Sequence, residues 1–337
     1  MSEIHALAVK QAKGKLEPFS FDPGPLGAEQ VEIAVDYCGV CHSDLSMLNN
    51  EWGMTTYPLV PGHEAIGKVT AVGEAAKFIK VGQTVGLGWN SGSCLHCRPC
   101  LSGDHNMCDT GEATIVGRHG AFATRVRAHW VWATPIPEGI DLAKAGPLLC
   151  GGITVFNPLV QFDIKPTDRV GIIGIGGLGH MALQFANKWG CHVTAFTTSD
   201  SKADEAKKLG AHDIVNTRSA EQLKKLAGSL NLVLSTVMAD IDMNSYIAAL
   251  GPKGRFHTVG VIPNLQTHSF PLIARQRSIS GSPSGAPITV MHMLDFCALH
   301  GIAPITEEFP MSKANEAIEH LEAGKARYRI VLKNDLK

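Results

Sequence analysis

The sequence has no excess of charge of either sign, with 30 Lys and Arg residues against 31 Asp and Glu residues. Binding to the phosphate backbone of a nucleic acid needs a basic face, so we expect no nucleic-acid partner. A run of about 18 apolar residues, as a membrane-spanning helix requires, is also missing. The N-terminal segment MSEIHALAVKQAKGK lacks the apolar core of a secretory signal. These absences predict a soluble, cytoplasmic protein without a membrane partner.

The chain contains enough apolar residues, 45% of its 337, to bury a large core. Domains usually contain about 100 to 200 residues, so two domains are expected. Nine cysteines are present, an odd number in a chain without a secretory signal. In a reducing compartment clustered thiols more often bind metal or take part in chemistry than form disulfides, and zinc is the first candidate.

The pattern of apolar segments changes along the chain. As far as Cys150, short β-rich runs broken by Gly and Pro predict an irregular, barrel-like β domain. From Arg169, apolar strands such as RVGIIG and HVTAF alternate with amphipathic helices, which predicts a doubly wound parallel sheet and an α/β fold. The last strand, YRIVLK, has no successor and is expected to return to the first domain. The predicted domains are therefore residues 1–152, 153–290 and a returning segment, 291–337.

A glycine-rich turn predicts a dinucleotide site. The motif GIGGLG follows the strand RVGII and opens the helix HMALQFANKWG, which is the context of a Rossmann fingerprint. Its glycines permit a tight turn and let backbone N–H groups approach a pyrophosphate at the positive end of the helix. The predicted cofactor-binding residues here are Gly174, Gly176, Gly177, Leu178 and Gly179.

The residues after the second strand of this unit favour NADPH over NADH. NAD sites place an acid at that strand end for the ribose 2′-OH, whereas NADP sites need room and positive charge for a 2′-phosphate. The chain has hydroxyls and a lysine instead: Thr197, Thr198, Ser199 and Lys202. Asp200 leaves NADH open, because a shift of one or two positions would make it the selecting acid. A helix-capping role for Ser199 or Asp200 is the simpler alternative.

Four cysteines lie within CLHCRPCLSGDHNMC, at positions 94, 97, 100 and 108. Four thiolates can surround one ion tetrahedrally and leave no open position, as in a structural zinc site. An iron–sulfur cluster is the alternative, but the seven-residue gap before Cys108 and the lack of a following Pro favour zinc. The predicted lobe comprises residues 90–110.

A second set of metal-binding residue types is scattered through the first domain. Cys41 lies in GVCHSD, His63 in PGHE and Cys150 in LLCGGIT. Together they form a Cys2His set, and three protein ligands with one open position are typical of catalytic zinc. Spacing alone does not show that these residues meet.

With these motifs in this order, the sequence resembles the zinc-dependent medium-chain alcohol dehydrogenases over essentially its whole length. GVCHSD, PLVPGHE, the four-cysteine lobe, GPLLCGGITV and GIGGLG carry the resemblance. SDLSMLNNEWG and FHTVGV place it near the cinnamyl alcohol dehydrogenases and the bacterial NADPH-dependent aldehyde reductases. The resemblance implies a GroES-like catalytic domain, a homodimer and two zinc ions per chain.

The resemblance also implies roles for single residues. Cys41, His63 and Cys150 would bind the catalytic zinc, with Glu64 as an alternative ligand. Asp44 would orient His63, and Ser43 would exchange a proton with the reacting oxygen. Further positions correspond to cofactor contacts, namely His42, Thr154, Val237, Gly260, Val261 and Arg329. The predicted function is NADPH-linked reduction of aldehydes to primary alcohols, by hydride transfer to a carbonyl that the zinc polarises.

Two points remain open at this level. Many relatives carry a His at the position of Ser46 to pass the proton outward, so the outer end of the relay here is undetermined. An apolar lining by Leu48, Trp52 and Trp89 favours aliphatic and aromatic aldehydes, with a polyol or secondary alcohol dehydrogenase as the alternative enzyme. A zinc-supported binding module without catalysis is the alternative from another class.

Overall fold

The chain folds into two compact units. A computed structural model describes residues 3–337, apart from the side chain of Asp200. Unit 1 comprises the residues up to Ile153 together with Ser284–Lys337, and unit 2 comprises Thr154–Pro283. The second boundary predicted from the sequence, between residues 290 and 291, falls inside a helix, Pro287–His300, that lies wholly in unit 1.

Both units contain β-sheets. The strands of the described chain are β1 Ile4–Ala8, β2 Glu17–Phe21, β3 Gln30–Val40, β4 Ala65–Val72, β5 Thr84–Leu87, β6 Asn90–Gly92, β7 Glu112–Ala113, β8 Arg125–His129, β9 Thr134–Pro135, β10 Arg169–Ile173, β11 His192–Thr197, β12 Asp213–Asn216, β13 Leu230–Ser235, β14 Leu250–Thr258, β15 Ser278–Gly281, β16 Thr306–Pro310 and β17 Arg329–Lys333.

Both units also contain helices, and the longest of those described, Pro287–His300 with 14 residues, lies in unit 1. The helices of the described chain are α1 His42–Leu48, α2 Arg98–Leu101, α3 Leu142–Ala145, α4 Gly151–Gln161, α5 Gly179–Trp189, α6 Ala203–Lys208, α7 Ala220–Lys225, α8 Met243–Ala249, α9 Phe270–Ile273, α10 Pro287–His300 and α11 Ala314–Glu322. None of the helices found in residues 3–337 combines the length and the apolar character needed to cross a membrane.

Unit 1 is organised around the long strand β3. Its sheet has the order β16-β17-β3-β4-β5-β9, and β8 also pairs with β3. The apolar side chains Val31, Ile33 and Val35 alternate along β3 and are buried in the core of this unit, and each stabilises it by about 1.5 to 3 kcal/mol. The C-terminal strand β17 pairs with β3 antiparallel, with Leu332 opposite Cys38. The chain end thereby becomes part of the sheet whose strand ends hold the candidate site.

Unit 2 contains a six-stranded sheet of the order β12-β11-β10-β13-β14-β15 in which every pair is parallel. Its central strands are almost wholly buried because helices cover both faces of a doubly wound sheet. The strand order reverses beside β10, and ligands of such folds bind at that point, outside the carboxyl ends of the strands. The predicted fold class, a doubly wound parallel sheet together with an irregular β-barrel domain, is confirmed.

Candidate active site and metal centres

The scattered Cys2His set converges in unit 1. Cys41 precedes α1, His63 precedes β4 and Cys150 precedes α4. The Sγ atoms of the two cysteines lie 3.8 Å apart, and His63 Nε2 lies 3.3 Å from Cys150 Sγ. Two sulfurs that each bind one zinc ion tetrahedrally at about 2.3 Å would be separated by about 3.8 Å. Donor types and spacing therefore fit a zinc ion.

Asp44 sets the orientation of the histidine ligand. Its carboxylate accepts hydrogen bonds from the backbone N–H groups of Cys41 and Gly62, each at 2.9 Å, and lies 3.0 Å from His63 Nδ1. This contact leaves Nε2 directed at the sulfurs, as a metal-binding imidazole requires. Burial lowers the pKa of His63, but the Asp44 carboxylate and the Cys41 sulfur together outweigh burial and raise this pKa well above its usual value. Asp44 thus contacts His63 directly, and its part in orienting a zinc ligand stays a prediction.

Glu64 adds a carboxylate to the same cluster. Its ligand oxygen lies within 4.8 Å of the donor atoms of Cys41, His63 and Cys150. Oε1 accepts a hydrogen bond from Arg329 Nη2, while the buried Oε2 has no hydrogen-bond partner. Burial raises the pKa of Glu64 to about 7, although Arg329 opposes the shift. A buried carboxylate oxygen without a partner beside three metal-binding side chains supports a cation at this position.

Gly39 makes room for this carboxylate. A Cβ at position 39 would overlap Glu64 Oε2, so any larger residue there would displace the side chain. Arg329 is almost fully buried and its Nη2 lies 3.4 Å from the carbonyl oxygen of Val40. The structure thus shows Arg329 as the partner of Glu64, and its contact with a cofactor pyrophosphate stays a prediction.

Ser43 and two tryptophans border the cluster. Ser43 Oγ lies 3.7 Å from Cys41 Sγ. The Trp89 ring packs edge-on at 5.1 Å from the His63 ring, and the Trp52 ring lies 5.9 Å from Trp89. Leu48, by contrast, belongs to the hydrophobic core of unit 1. The site therefore has a hydroxyl and an aromatic wall near the metal-binding atoms.

The four lobe cysteines form the second cluster. All are free thiols, and their sulfurs lie within 4.8 Å of one another around the short helix α2. The backbone N–H of Cys97 donates to Cys94 Sγ at 3.3 Å, and that of Cys94 donates to Cys108 Sγ at 3.4 Å. Hydrogen bonds from backbone N–H groups, above all that of His96, lower the pKa of Cys94 to about 6. Burial raises the pKa of Cys100 to about 12. Four sulfurs with supporting N–H groups fit one enclosed zinc ion.

The glycine-rich turn joins β10 to α5 as the motif predicts. Gly174 has φ +87°, which favours glycine, and a Cβ on Gly179 would overlap the carbonyl oxygen of Gly174. A Cβ on Gly176 would meet no atom within 4 Å, so this side of the turn is open. These three glycines meet the requirements of a dinucleotide-binding turn. Gly174 permits the tight bend, Gly179 the close packing of helix on strand, and Gly176 leaves room for a pyrophosphate.

A cavity of about 390 Å³ lies next to this turn. Of the predicted cofactor residues, it is lined by Gly174, Thr197, Thr198, Lys202 and Val237. Thr197 Oγ1 is engaged with its own loop, since it accepts from the Ser199 N–H at 3.2 Å and donates to the Ser199 carbonyl at 3.0 Å. Asp200, the residue that left NADH open, has its side chain outside the described part.

Other predicted cofactor residues lie apart from this cavity. Ser199 Oγ is 2.7 Å from Ser201 Oγ, and Val261 is exposed. Gly260 packs so closely on the Val237 carbonyl that a Cβ would overlap it. Thr154 lies in α4, while His42 is the exposed first residue of α1 in unit 1. Contacts of these residues with a cofactor stay predictions.

Sequence reasoning missed several residues around both sites. Asp240, Asp242, Ser245 and Tyr246 line the cavity in unit 2. Asp242 caps α8, accepting from the N–H of Asn244 at 3.2 Å, and an Asp before a helical segment was a readable signal. In unit 1, Glu51 accepts a hydrogen bond from Ser46, and no sequence motif marked it.

Comparisons with known proteins identify the family of both parts of the chain. Residues 27–138 match the alcohol dehydrogenase GroES-like domain, and residues 177–298 match the zinc-binding dehydrogenase domain. The chain is 55% identical over 330 residues to the aldehyde reductase AdhA of Synechocystis sp. and 38% identical over 343 residues to the aldehyde reductase YahK of Escherichia coli, with 98% of each chain covered in both cases.

Two solved structures have the same fold. A cinnamyl alcohol dehydrogenase of Sorghum bicolor is 35% identical with a TM-score of 0.93, and 98% of each chain is covered. A CAD from Helicobacter pylori complexed with NADP(H) is 27% identical with a TM-score of 0.88, again over 98% of each chain. The chain belongs to the zinc-dependent medium-chain alcohol dehydrogenases, in the branch of the cinnamyl alcohol dehydrogenases and bacterial aldehyde reductases, and is an oxidoreductase of alcohols and aldehydes.

Proposed function

We propose that this chain catalyses the NADPH-linked reduction of aldehydes to primary alcohols and binds two zinc ions, one for catalysis and one in the lobe. The observation that supports it most is the convergence of Cys41, His63 and Cys150, backed by Asp44, beside a hydroxyl and an aromatic wall. When bound, zinc supplies a Lewis acid that polarises the carbonyl, and the nicotinamide supplies the hydride.

The residues of the chain bind the metal, orient its ligand, transfer the proton and border the substrate. Cys41, His63 and Cys150 hold the ion, and Asp44 keeps the His63 ring in place. Ser43 Oγ, which lies at the sulfur cluster, gives the proton that the reduced oxygen needs and takes it back in the reverse reaction. Trp52 and Trp89 supply an apolar boundary that suits aliphatic and aromatic aldehydes better than sugars. A homodimer and a cytoplasmic location stay predictions from the sequence.

Preference for NADPH is the first testable consequence. Thr197, Thr198 and Lys202 border the cavity at the end of β11, and hydroxyls with an ammonium group suit a 2′-phosphate. We expect the zinc-loaded enzyme to oxidise NADPH at least about tenfold more efficiently than NADH, a difference of about 1.4 kcal/mol. The assay is nicotinamide absorbance with a panel of aliphatic aldehydes, aromatic aldehydes and a ketose, with zinc measured on the same sample.

The possible outcomes of this assay distinguish between the proposed function and its alternatives. Activity with aldehydes and NADPH, together with about two zinc ions per chain, supports the proposal. Activity confined to the ketose would favour a polyol dehydrogenase. If the zinc-loaded chain oxidises neither cofactor with any aldehyde, the proposed function is wrong.

Thr197→Asp should reverse the cofactor preference. A carboxylate at this strand end would accept the ribose 2′-OH of NADH and repel the 2′-phosphate of NADPH. We expect kcat/KM for NADPH to fall by about a hundredfold, or about 2.7 kcal/mol, while that for NADH rises. Thr197→Asn is the matched control, since it has the same shape without the charge. Equal losses in the two variants would show that the Thr197–Ser199 hydrogen bonds, and not charge, matter at this position.

A further inference from the structure

Helix α10 is apolar on its inner face and on much of its outer face. Four apolar side chains of the inner face are buried: Val290, Met293, Leu294 and Cys297. On the outer face Ile288, Met291 and Leu299 are 49%, 46% and 78% exposed. A surface helix usually presents polar residues to water, and a helix that is apolar all round is usually covered on every side. The outer face of α10 is therefore a candidate contact surface for another molecule.

The exposed residues of α10 form one continuous stripe. Ile288, His292, Asp295 and Leu299 follow one another at intervals of four, three and four residues, and all four are exposed. Residues at these intervals lie on one side of a helix. The stripe is about 16 Å long, because a helix rises about 1.5 Å per residue, and Met291 lies at its edge. The two ends of the stripe are apolar, and its middle is polar.

The order of residues along this stripe is self-complementary. When two copies of α10 pack antiparallel about a two-fold axis midway along the stripe, each residue faces a different residue of the second copy. Ile288 at one end then faces Leu299 at the other, so both ends of the pair bury apolar side chains. At the edge of the stripe, Met291 faces the half-buried ring of Phe296, which gives a favourable contact between sulfur and an aromatic ring.

The two polar residues of the stripe also match each other in this arrangement. The carboxylate of Asp295 in one copy lies opposite the imidazole of His292 in the second, and the two-fold axis forms this pair twice. A parallel pair would place the two Asp295 carboxylates opposite each other, which like charge disfavours. Neither His292 nor Asp295 forms an ion pair within residues 3–337. Charge complementarity thus favours a second copy of this chain as the partner.

The area of the outer face predicts a weak association. α10 has 14 residues and is about 21 Å long. A stable interface buries about 1,200 to 2,000 Å² in total, which is more than one pair of helices of this length supplies. We therefore expect a dissociation constant of about 1 to 100 μM.

We propose that the outer face of α10 is an interface between two copies of this chain, in which α10 packs antiparallel on α10. This contact is independent of the proposed dehydrogenase function and needs no cofactor, metal or substrate. The predicted homodimer either forms through this face or, when another surface forms it, associates through this face into a tetramer. In both cases the pairing doubles the mass of the particle.

Charge changes in the middle of the stripe test the pairing. His292→Glu places a carboxylate opposite Asp295 of the second copy, and Asp295→Lys places an ammonium group opposite His292. We expect either variant alone to raise the dissociation constant at least about tenfold, measured at pH 7 by light scattering on size-exclusion fractions loaded at about 1 to 200 μM protein. An equimolar mixture of the two variants should regain the mass of the wild type, because the new carboxylate and the new ammonium group then face each other.

Cross-linking tests the antiparallel direction of the two helices. Ile288→Cys and Leu299→Cys place thiols at opposite ends of the stripe, and these thiols come within disulfide distance of each other only in an antiparallel pair. With oxidised glutathione as the oxidant, a mixture of the two variants should form a disulfide-linked pair. Each variant alone should give only the background of the wild type, because identical positions then lie about 16 Å apart along the helix axis.

Val81→Glu is the matched control, since Val81 is 61% exposed in unit 1 but lies outside α10. This variant should keep the mass of the wild type, whereas Leu299→Glu should weaken the association as the charge variants do. An equal loss of association in Val81→Glu would show a general effect of added charge and would contradict the proposal.

The results that would overturn the interface are distinct from failure of the enzyme, because each is a mass or a cross-link and none is an activity. A mass that changes neither with concentration nor in the charge variants would exclude a second copy and leave the face to a different partner. A mixture that stays as small as its separate variants, or a cross-link within Ile288→Cys alone, would exclude the antiparallel pair.

Discussion

Cys150→Ser is expected to abolish aldehyde reduction and to release one of the two zinc ions. The serine hydroxyl is a far weaker zinc ligand than a thiolate at neutral pH, and only Cys41, His63 and the paired Glu64 would remain. Loss of an outer-shell partner of a zinc ligand costs about 10 to 100-fold, so we expect at least about a thousandfold loss when a ligand itself is removed. The measurements are kcat/KM with NADPH and zinc content by mass spectrometry.

Cys191→Ser is the matched control for this variant. Cys191 is a buried free thiol that belongs to neither cluster, and its Sγ lies 3.5 Å from the carbonyl oxygen of Lys165, where a serine hydroxyl can donate. We expect this variant to keep its zinc and its activity. Full activity in Cys150→Ser would contradict the assigned site, and full zinc content with no activity would contradict the ligand role of Cys150.

Cys94→Ser is expected to lower the thermal stability of the protein while changing the rate of hydride transfer little. Cys94 Sγ accepts the Cys97 N–H and belongs to the enclosed set of four sulfurs, so the variant should lose the lobe zinc, whose binding energy is part of the folding energy. A loss of about 3 to 5 kcal/mol would lower Tm by roughly 4 to 7 °C for a protein of this size. Below the new Tm, the rate of hydride transfer per folded molecule should stay within about twofold.

A substitution at His96, in the same lobe, is the matched control for Cys94→Ser. His96 is exposed and lies between two of the cysteines. Its ring Nδ1 donates a hydrogen bond to the Cys94 carbonyl oxygen at 2.7 Å. His96→Ala should keep both zinc ions and a Tm close to that of the wild type. If Cys94→Ser abolishes hydride transfer at temperatures where the chain remains folded, the division between a catalytic and a structural metal is wrong.

Local features of both sites could be predicted because their geometry depends on neighbouring residues. The four lobe cysteines lie within fifteen residues, so a single turn and a short helix bring the sulfurs together. The turn from Gly174 to Gly179 is likewise local: one strand, one bend and one helix. The alternation of apolar strands and amphipathic helices predicted the parallel sheet for the same reason.

The hydrogen-bond partners of Ser46 and of Glu64 could not be predicted in this way. Ser46 stood out only as a missing histidine, and its bond to Glu51 depends on how the chain turns after α1. Arg329 was expected at a pyrophosphate, yet its guanidinium is bonded to Glu64 because β17 lies antiparallel beside β3. A pairing between residues 265 positions apart leaves no periodic or spacing signal in the sequence.

Sequence alone determined which chemical groups this protein has: two sets of side chains that can bind a metal ion, a glycine-rich turn between a strand and a helix, and hydroxyls with a lysine after the second strand of that unit. Tertiary structure decided which of them meet. Cys41, His63 and Cys150 become one site because the end of β3, the start of β4 and the segment before α4 meet in unit 1. Burial of the sheet core provides the free energy that holds these three distant segments together. Contacts between segments so far apart in the chain cannot be predicted from any local stretch of residues.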